Sequence, residues 1–121
     1  MTSARIDELL GILQQFFNHR EEGWLWLAFY ADDAPGGVLN QIEGQYEDPV
    51  TIAKSLAYLV NEIAPDRAHL AVCRWDGRPT EDDRELWRQL DRLVPADRLL
   101  DMIVFNAELR WSMRADNAVA A

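Results

Sequence analysis

The sequence contains one cysteine, Cys73, and two histidines among its 121 residues. A single thiol cannot form a disulfide within the chain or supply the cysteine cluster of a structural zinc site. No apolar run approaches the ~20 residues that a membrane-spanning helix needs. The first residues lead into an amphipathic stretch instead of the apolar segment of a signal peptide. We therefore expect a cytoplasmic chain with no membrane association and no bound cofactor.

Basic residues are also scarce. Twelve Lys and Arg stand against 21 Asp and Glu, which gives a formal net charge of −9. The arginines are scattered along the sequence and form no basic stripe. Because a field of this sign repels the phosphate backbone, we do not expect nucleic-acid binding.

Apolar residues are plentiful by contrast. They make up 49% of the chain and include five tryptophans. This content excludes the disordered class and is sufficient for a hydrophobic core, while a chain of 121 residues is too short to divide into two cores. We therefore expect residues 1–121 to fold as a single domain.

The apolar pattern predicts the first elements of that domain. Apolar residues recur at helical spacing from Ile6 to Phe17, which predicts an amphipathic helix within residues 1–20. Residues 24–30 are apolar on both faces, as in a central strand that is covered on both sides. Residues 38–46 are less apolar, which predicts a strand nearer an edge.

Capping residues mark the two later helices. Asp48 precedes a proline, and Thr80 is followed three residues later by an acid, as in a capping box. The remaining segments are predicted as helices at residues 49–63 and 80–93, strands at residues 68–73, 99–105 and 109–113, and a frayed tail at residues 115–121. This order predicts an α/β fold, with a mixed sheet of about five strands and helices packed on its faces.

One loop carries a more specific pattern. Residues 70–80 have the sequence L-A-V-C-R-W-D-G-R-P-T, which resembles the L-A-H-N-H-P-S-G-D-P-T signature loop of RadC-like JAB domains. The segments outside the loop that also resemble family positions are Glu22, Gly44, Leu99-Leu100-Asp101 and Trp111-Ser112-Met113. The resemblance spans residues 22–113 and leaves the N-terminal helix outside.

This resemblance implies a three-layer α/β/α fold of the JAB/MPN type, with layering like that of cytidine deaminases. In the family, two histidines and an aspartate hold zinc, and a glutamate deprotonates the zinc-bound water. Val72, Arg74 and Arg78 stand at the ligand positions here, and none of these side chains can ligate a cation. Asp76 stands at the position of the loop serine. Since only Glu22 remains of the catalytic set, we expect neither a metal site nor catalysis.

The resemblance therefore indicates a catalytically inactive JAB/RadC-like domain that binds another protein or acts as a scaffold. The candidate binding residues are Arg74, Trp75, Asp76 and Arg78, and Trp75 lies in a polar loop where an exposed aromatic side chain can anchor an interface. A small anion between Arg74 and Arg78 is a second option. The alternative function is a RadC-like, DNA-repair-associated protein or hydrolase with an unrecognised site, and the sequence does not specify the oligomeric state.

The vacated metal site leads to a structural prediction. A glutamate partly buried without a partner costs free energy or acquires a raised pKa. We therefore expect the guanidinium of Arg74 or Arg78 to point into the site and to pair with Glu22 or Asp76. If Glu22 is instead a solvated loop residue, no such pair is needed.

Overall fold

The computed structural model describes residues 2–15, 22–30, 37–42, 48–63 and 67–119. The elements in chain order are α1 (Thr2–Gln15), β1 (Leu25–Tyr30), β2 (Gly37–Ile42), α2 (Pro49–Tyr58), a π-helical turn (Leu59–Ile63), β3 (Arg67–Cys73), α3 (Glu81–Leu93), β4 (Leu99–Phe105), β5 (Arg110–Ser112) and β6 (Asn117–Val119). The chain is thus a mixed α/β protein, as its sequence predicts.

Local capping sets where α2 and α3 begin. The Asp48 carboxylate accepts from the backbone N–H of Val50 at 3.0 Å, and Pro49 occupies the first helical position. At α3, the Thr80 hydroxyl accepts from the N–H of Asp83 at 3.1 Å, and the Asp83 carboxylate accepts from the N–H of Thr80 at 3.0 Å. Both predicted N-termini are confirmed, the second as a complete capping box.

The strands form one mixed sheet in the order β2-β1-β3-β4-β5-β6. Among the described strands, only β3 and β4 are parallel, and α3 makes the crossover between them; the other described neighbours are antiparallel. The strand β1 pairs on both sides, which confirms that residues 25–30 lie in the interior of the sheet. The strand β2 lies at one edge of the sheet, as predicted, while residues 43–46 of the predicted strand lie outside the described residues.

Helices cover both faces of the sheet. On one face, buried residues of α2 and α3 pack against alternate residues of the strands, among them Leu27, Leu70 and Val104. On the other face, Ile6 and Leu10 of α1 pack against the intervening residues of those strands, Trp26, Ala71, Cys73, Ile103 and Phe105. Because consecutive strand residues point to opposite faces, the continuous apolar runs of β1, β3 and β4 are explained by burial on both sides.

Hydrogen bonds from α1 reach the turn between β4 and β5. Gln14 donates to the carbonyls of Asn106 and Leu109 at 3.0 and 3.3 Å, and Arg110 donates to Gln14 Oε1 at 3.0 Å. Arg110 also forms an ion pair with Asp7 at 3.1 Å. The last turn of α1 therefore supports one end of the sheet. Residues 16–20 of the predicted first helix lie outside the described part of the chain.

The prediction of a frayed tail is wrong for residues 117–119. These residues form β6, which pairs antiparallel with β5 and gives the sheet a sixth strand. The turn before β6 places Asp116 at a positive φ of 55°. The alanine-rich tail gave no strand signal because its pairing depends on backbone hydrogen bonds to β5 and not on its own side chains. None of the described helices has the length and apolarity that crossing a membrane requires.

Candidate functional site

The segment between β3 and α3, residues 74–80, contains the candidate binding residues and leaves the sheet at the carboxyl end of β3. The parallel strand β4 ends beside it, and the backbone N–H of Arg74 donates to the carbonyl of Phe105 at 2.9 Å. The N–H of Gly23 donates to the carbonyl of Cys73 at 2.8 Å, which places the segment before β1 at the same end. Residues that are far apart in sequence, including Glu22, are thereby brought to the same end of the strands.

The side chain of Arg74 is the centre of this site. Its Nε and Nη2 donate to the two carboxylate oxygens of Asp83 at 2.8 and 2.6 Å, a bidentate pair. Its Nη1 donates to Glu22 Oε1 at 3.3 Å. Arg74 therefore joins the segment before β1, the end of β3 and the first turn of α3.

The two ion pairs of Arg74 differ in burial, and therefore in their importance for stability. The side chain of Asp83 is 0% exposed and that of Arg74 is 12% exposed, whereas that of Glu22 is 37% exposed. A charge removed from water requires a compensating partner, so the Arg74–Asp83 pair is the structurally important one. The partly solvated Glu22 contact is screened and contributes less.

The expected pairing of Arg74 with Glu22 is present, but the sequence interpretation did not single out Asp83 as the main partner of Arg74. The capping box of α3 contained the information that points to Asp83. An N3 acid that caps its helix has its carboxylate fixed beside the loop that precedes the helix, and here that loop begins with Arg74.

The backbone of Trp75 is held on both sides while more than half of the residue is exposed. Its N–H donates to the second carboxylate oxygen of Glu22, and its carbonyl accepts from Asn106 Nδ2 at 3.2 Å. The residue is 60% exposed. The structure thus presents a large aromatic side chain from a loop whose backbone is fixed, in agreement with its expected exposure.

Asp76 and Arg78 belong to a tight turn around Gly77. The Asp76 carboxylate accepts from the backbone N–H of Arg78 at 3.0 Å, and Gly77 has a positive φ of 71°. A Cβ on Gly77 would lie 2.9 Å from the Cβ of Leu109, so the loop also packs closely on the β4–β5 turn. Arg78 is exposed, and its guanidinium forms no ion pair with any other described residue.

The three positions that the resemblance assigns to zinc ligands do not converge as a cation site. Val72 is buried in the core cluster of α2 and α3, Arg78 points outward, and the guanidinium of Arg74 already lies between two carboxylates. Within the described ranges, no three His, Cys, Asp or Glu side chains are grouped in a way that could hold a metal. These residues do not fit a zinc ion.

The same contacts disfavour an anion between Arg74 and Arg78. The charge of Arg74 is opposed by Glu22 and Asp83, so the group as a whole is negative. An anion placed there would be attracted by Arg78 alone and repelled by the neighbouring Asp76. The geometry therefore supports Arg74 as a structural cation and not as a ligand-binding one.

A second polar cluster lies elsewhere on the sheet and involves the two closing segments quoted for the resemblance. Ser112 Oγ donates to Asp101 Oδ2, and Asp101 Oδ1 accepts from the backbone N–H groups of Met102 and Arg114. His69 is the partner of Asp101 in the β3–β4 register. Ser112 is buried, and its Oγ also accepts from the backbone N–H of Ala115 at 3.1 Å, so this cluster joins strands and turns no side chain toward a substrate.

Comparison of the chain with protein-family models, with curated proteins and with solved structures found no match. The likeness to RadC-like JAB domains stays a prediction from the residues of the loop and its flanking segments.

Proposed function

We propose that this chain is a protein-binding module, a JAB-like domain without zinc catalysis, in which Trp75 anchors the partner. The observation that carries the proposal is the exposed indole of Trp75 on a loop whose backbone is hydrogen-bonded on both sides, to Glu22 and to Asn106. Tryptophan is enriched among the residues that dominate binding energy at interfaces. A fixed loop also reduces the entropy that binding would otherwise cost.

The contacts of Glu22 support a structural role for this residue. One carboxylate oxygen accepts from Arg74 and the other accepts from the backbone of Trp75. Both oxygens of Glu22 accept hydrogen bonds that hold the loop, so the carboxylate has a structural role in this site. Glu22 therefore acts as a positioning residue for Trp75.

The architecture supports the JAB-like part of the proposal. The resemblance implies a three-layer α/β/α fold, and the described helices lie on both faces of a mixed sheet, α1 on one and α2 with α3 on the other. The signature-like loop follows an interior strand and leads into a capped helix. Function on such a fold must still be argued from the site, because folds of this kind carry many activities.

The test is site-specific photo-crosslinking in the native host, with a photoreactive phenylalanine analogue at Trp75 and, as the matched control, at Tyr58. The two positions are 60% and 61% exposed and lie on different elements. We expect a reproducible protein adduct from position 75 only, and loss of that partner from affinity purification with Trp75→Ala but not with Tyr58→Ala. Equal adducts from both positions, or a partner set unchanged by Trp75→Ala, would contradict the proposal.

Metal analysis distinguishes the alternative of a hydrolase. Purified protein with close to one zinc per chain, together with hydrolysis that Glu22→Gln abolishes, would replace the binding module with a RadC-like enzyme. We expect zinc at background level, because the guanidinium of Arg74 occupies the space between the two carboxylates.

A further inference from the structure

The surface around Trp75 combines exposed apolar and acidic side chains, which favours one chemical class of partner. We define the Trp75 surface as the exposed residues Trp75, Asp76, Glu108 and Leu109. We propose that it binds a basic, extended segment of another protein, in which a Lys or Arg stacks on the indole and a neighbouring apolar side chain covers Leu109. This inference rests on the proposed function, since it names the chemistry of the partner at the same site.

The first step is that two loops form one surface. Asn106 donates from Nδ2 to the carbonyl of Trp75 and accepts at Oδ1 from the N–H groups of Glu108 and Leu109, at 2.9 and 2.7 Å. The close approach of Gly77 to Leu109 fixes the two loops against each other. An indole and an isobutyl group, which is 43% exposed, are thereby held on adjacent turns.

The second step is charge. Exposed carboxylates flank the apolar pair on both loops, at Asp76 and Glu108, and the partly exposed Glu22 lies beneath the Trp75 backbone. The guanidinium of Arg74 does not offset them, because Asp83 and Glu22 already oppose it. Arg78 is the remaining cation on the loop, so the carboxylates exceed the guanidinium groups here as they do over the whole chain.

The third step is the match between this surface and a cation. A cation over the face of an indole is attracted by the ring quadrupole, and carboxylates beside the ring strengthen that attraction. An acidic segment or a phosphate backbone would be repelled by the carboxylates of Asp76 and Glu108. A purely apolar segment would leave those carboxylates partly desolvated without partners. A basic segment with one apolar residue satisfies both features of the surface.

The experiment is a titration of the ¹⁵N-labelled chain with two synthetic peptides of equal length. One alternates Arg and Leu with Gly-Ser spacers, and the other has every Arg replaced by Glu. We expect the basic peptide to shift the indole N–H of Trp75 and the backbone signals of Asp76 and Glu108 saturably. We expect the acidic peptide to shift none of them, and added salt to weaken the binding of the basic one.

Two matched pairs of variants make the test specific. Trp75→Ala should abolish the response while Tyr58→Ala leaves it unchanged. Glu108→Lys should weaken binding about tenfold or more, whereas Glu62→Lys, which changes the net charge equally at an exposed position before β3, should change it less than about twofold. Equal losses from the two lysine variants would mean that only the overall charge attracts the peptide, and would overturn the inference.

The outcomes also separate this inference from the proposed function. If position 75 crosslinks a partner whose contacting segment is neutral or acidic, the module binds proteins but the basic class is wrong. If the acidic peptide binds as tightly as the basic one, the inference fails in the same way. If neither crosslinks nor peptide shifts involve Trp75, both proposals fail together.

Discussion

Arg74 is the residue on which the candidate site depends most. It supplies the charge that compensates the fully buried Asp83, and it contacts Glu22 at the same time. We expect Arg74→Ala to lower the free energy of unfolding by about 3–5 kcal/mol, because the buried carboxylate loses its partner. Arg78→Ala, at an exposed position of the same loop, should change it by less than about 0.5 kcal/mol. Urea denaturation of the two variants measures the difference.

Arg74→Lys serves as the intermediate control. A lysine keeps the charge but cannot make the two-point contact with Asp83, so we expect a loss between those of the other two variants. Equal unfolding midpoints for Arg74→Ala and the parent chain would show that the pair does not stabilise the fold. The pairing itself was predictable from the sequence, since a partly buried Glu22 needed a cation. That Asp83 would be the main partner depended on burial, which the sequence does not give.

At the scale of elements, the N-terminus of α3 decides how the loop is held. Thr80 caps the helix through its hydroxyl, and the reciprocal bond orients Asp83 toward Arg74. We expect Thr80→Ala to destabilise the chain by about 1 kcal/mol and Thr80→Ser to retain most of the stability. Thermal unfolding of the two variants tests this, and an Ala variant as stable as the Ser variant would contradict the capping role.

The loop itself requires glycine at one position. Gly77 combines a positive φ of 71° with a contact of 2.9 Å between its virtual Cβ and the Cβ of Leu109. We expect Gly77→Ala to cost about 1–2 kcal/mol from the backbone conformation, in addition to the displacement of the β4–β5 turn. Gly11 of α1 has no atom within 4 Å of its virtual Cβ, so Gly11→Ala is the matched control and should be neutral or stabilising. Similar losses for both glycine variants, measured by urea denaturation, would refute the steric argument.

The elements that the sequence predicted correctly share a physical property. The helices α2 and α3 begin at side-chain caps, and β1, β3 and β4 are apolar on both faces, so local chemistry and burial agree. The strand β6 and the π-helical turn at Leu59–Ile63 were missed. The strand β6 depends on backbone pairing with β5, and the π-helical turn is a local change in the hydrogen bonding of the helix; neither leaves a clear trace in residue types.

At the scale of the whole molecule, the class of fold and the exposure of Trp75 were predictable from the sequence. The residues that contact the backbone of Trp75 were not. Glu22 and Asn106 reach the backbone of Trp75 from 53 and 31 residues away. Such contacts follow from strand order, since β1, β3 and β4 are neighbours and bring these three segments to the same end of the sheet. The signature-like loop predicted where the candidate site lies. The order of the strands determined which other residues, such as Glu22 and Asn106, contribute to it.

Acid stability is also a property of the whole chain, and the buried imidazole of His69 contributes to it between pH 6.5 and 4. Burial lowers the pKa of His69 from 6.5 to about 4. Above pH 6.5 the imidazole is neutral in both the folded and the unfolded chain, so it does not affect stability. As the pH falls toward 4, the unfolded chain binds a proton that the folded chain does not bind, and stability decreases.

The expected loss is about 3 kcal/mol between pH 7 and pH 4, from the difference between the two pKa values at 1.4 kcal/mol per unit. Thr51 and Val50 hold the pKa of Asp48 below its ordinary value of 3.8, so that carboxylate affects stability only at still lower pH. Urea unfolding at pH 7, 6, 5 and 4 should therefore give a steep decrease for the parent and a flatter one for His69→Gln. If His69→Gln retains the full decrease, the buried imidazole is not the group that titrates.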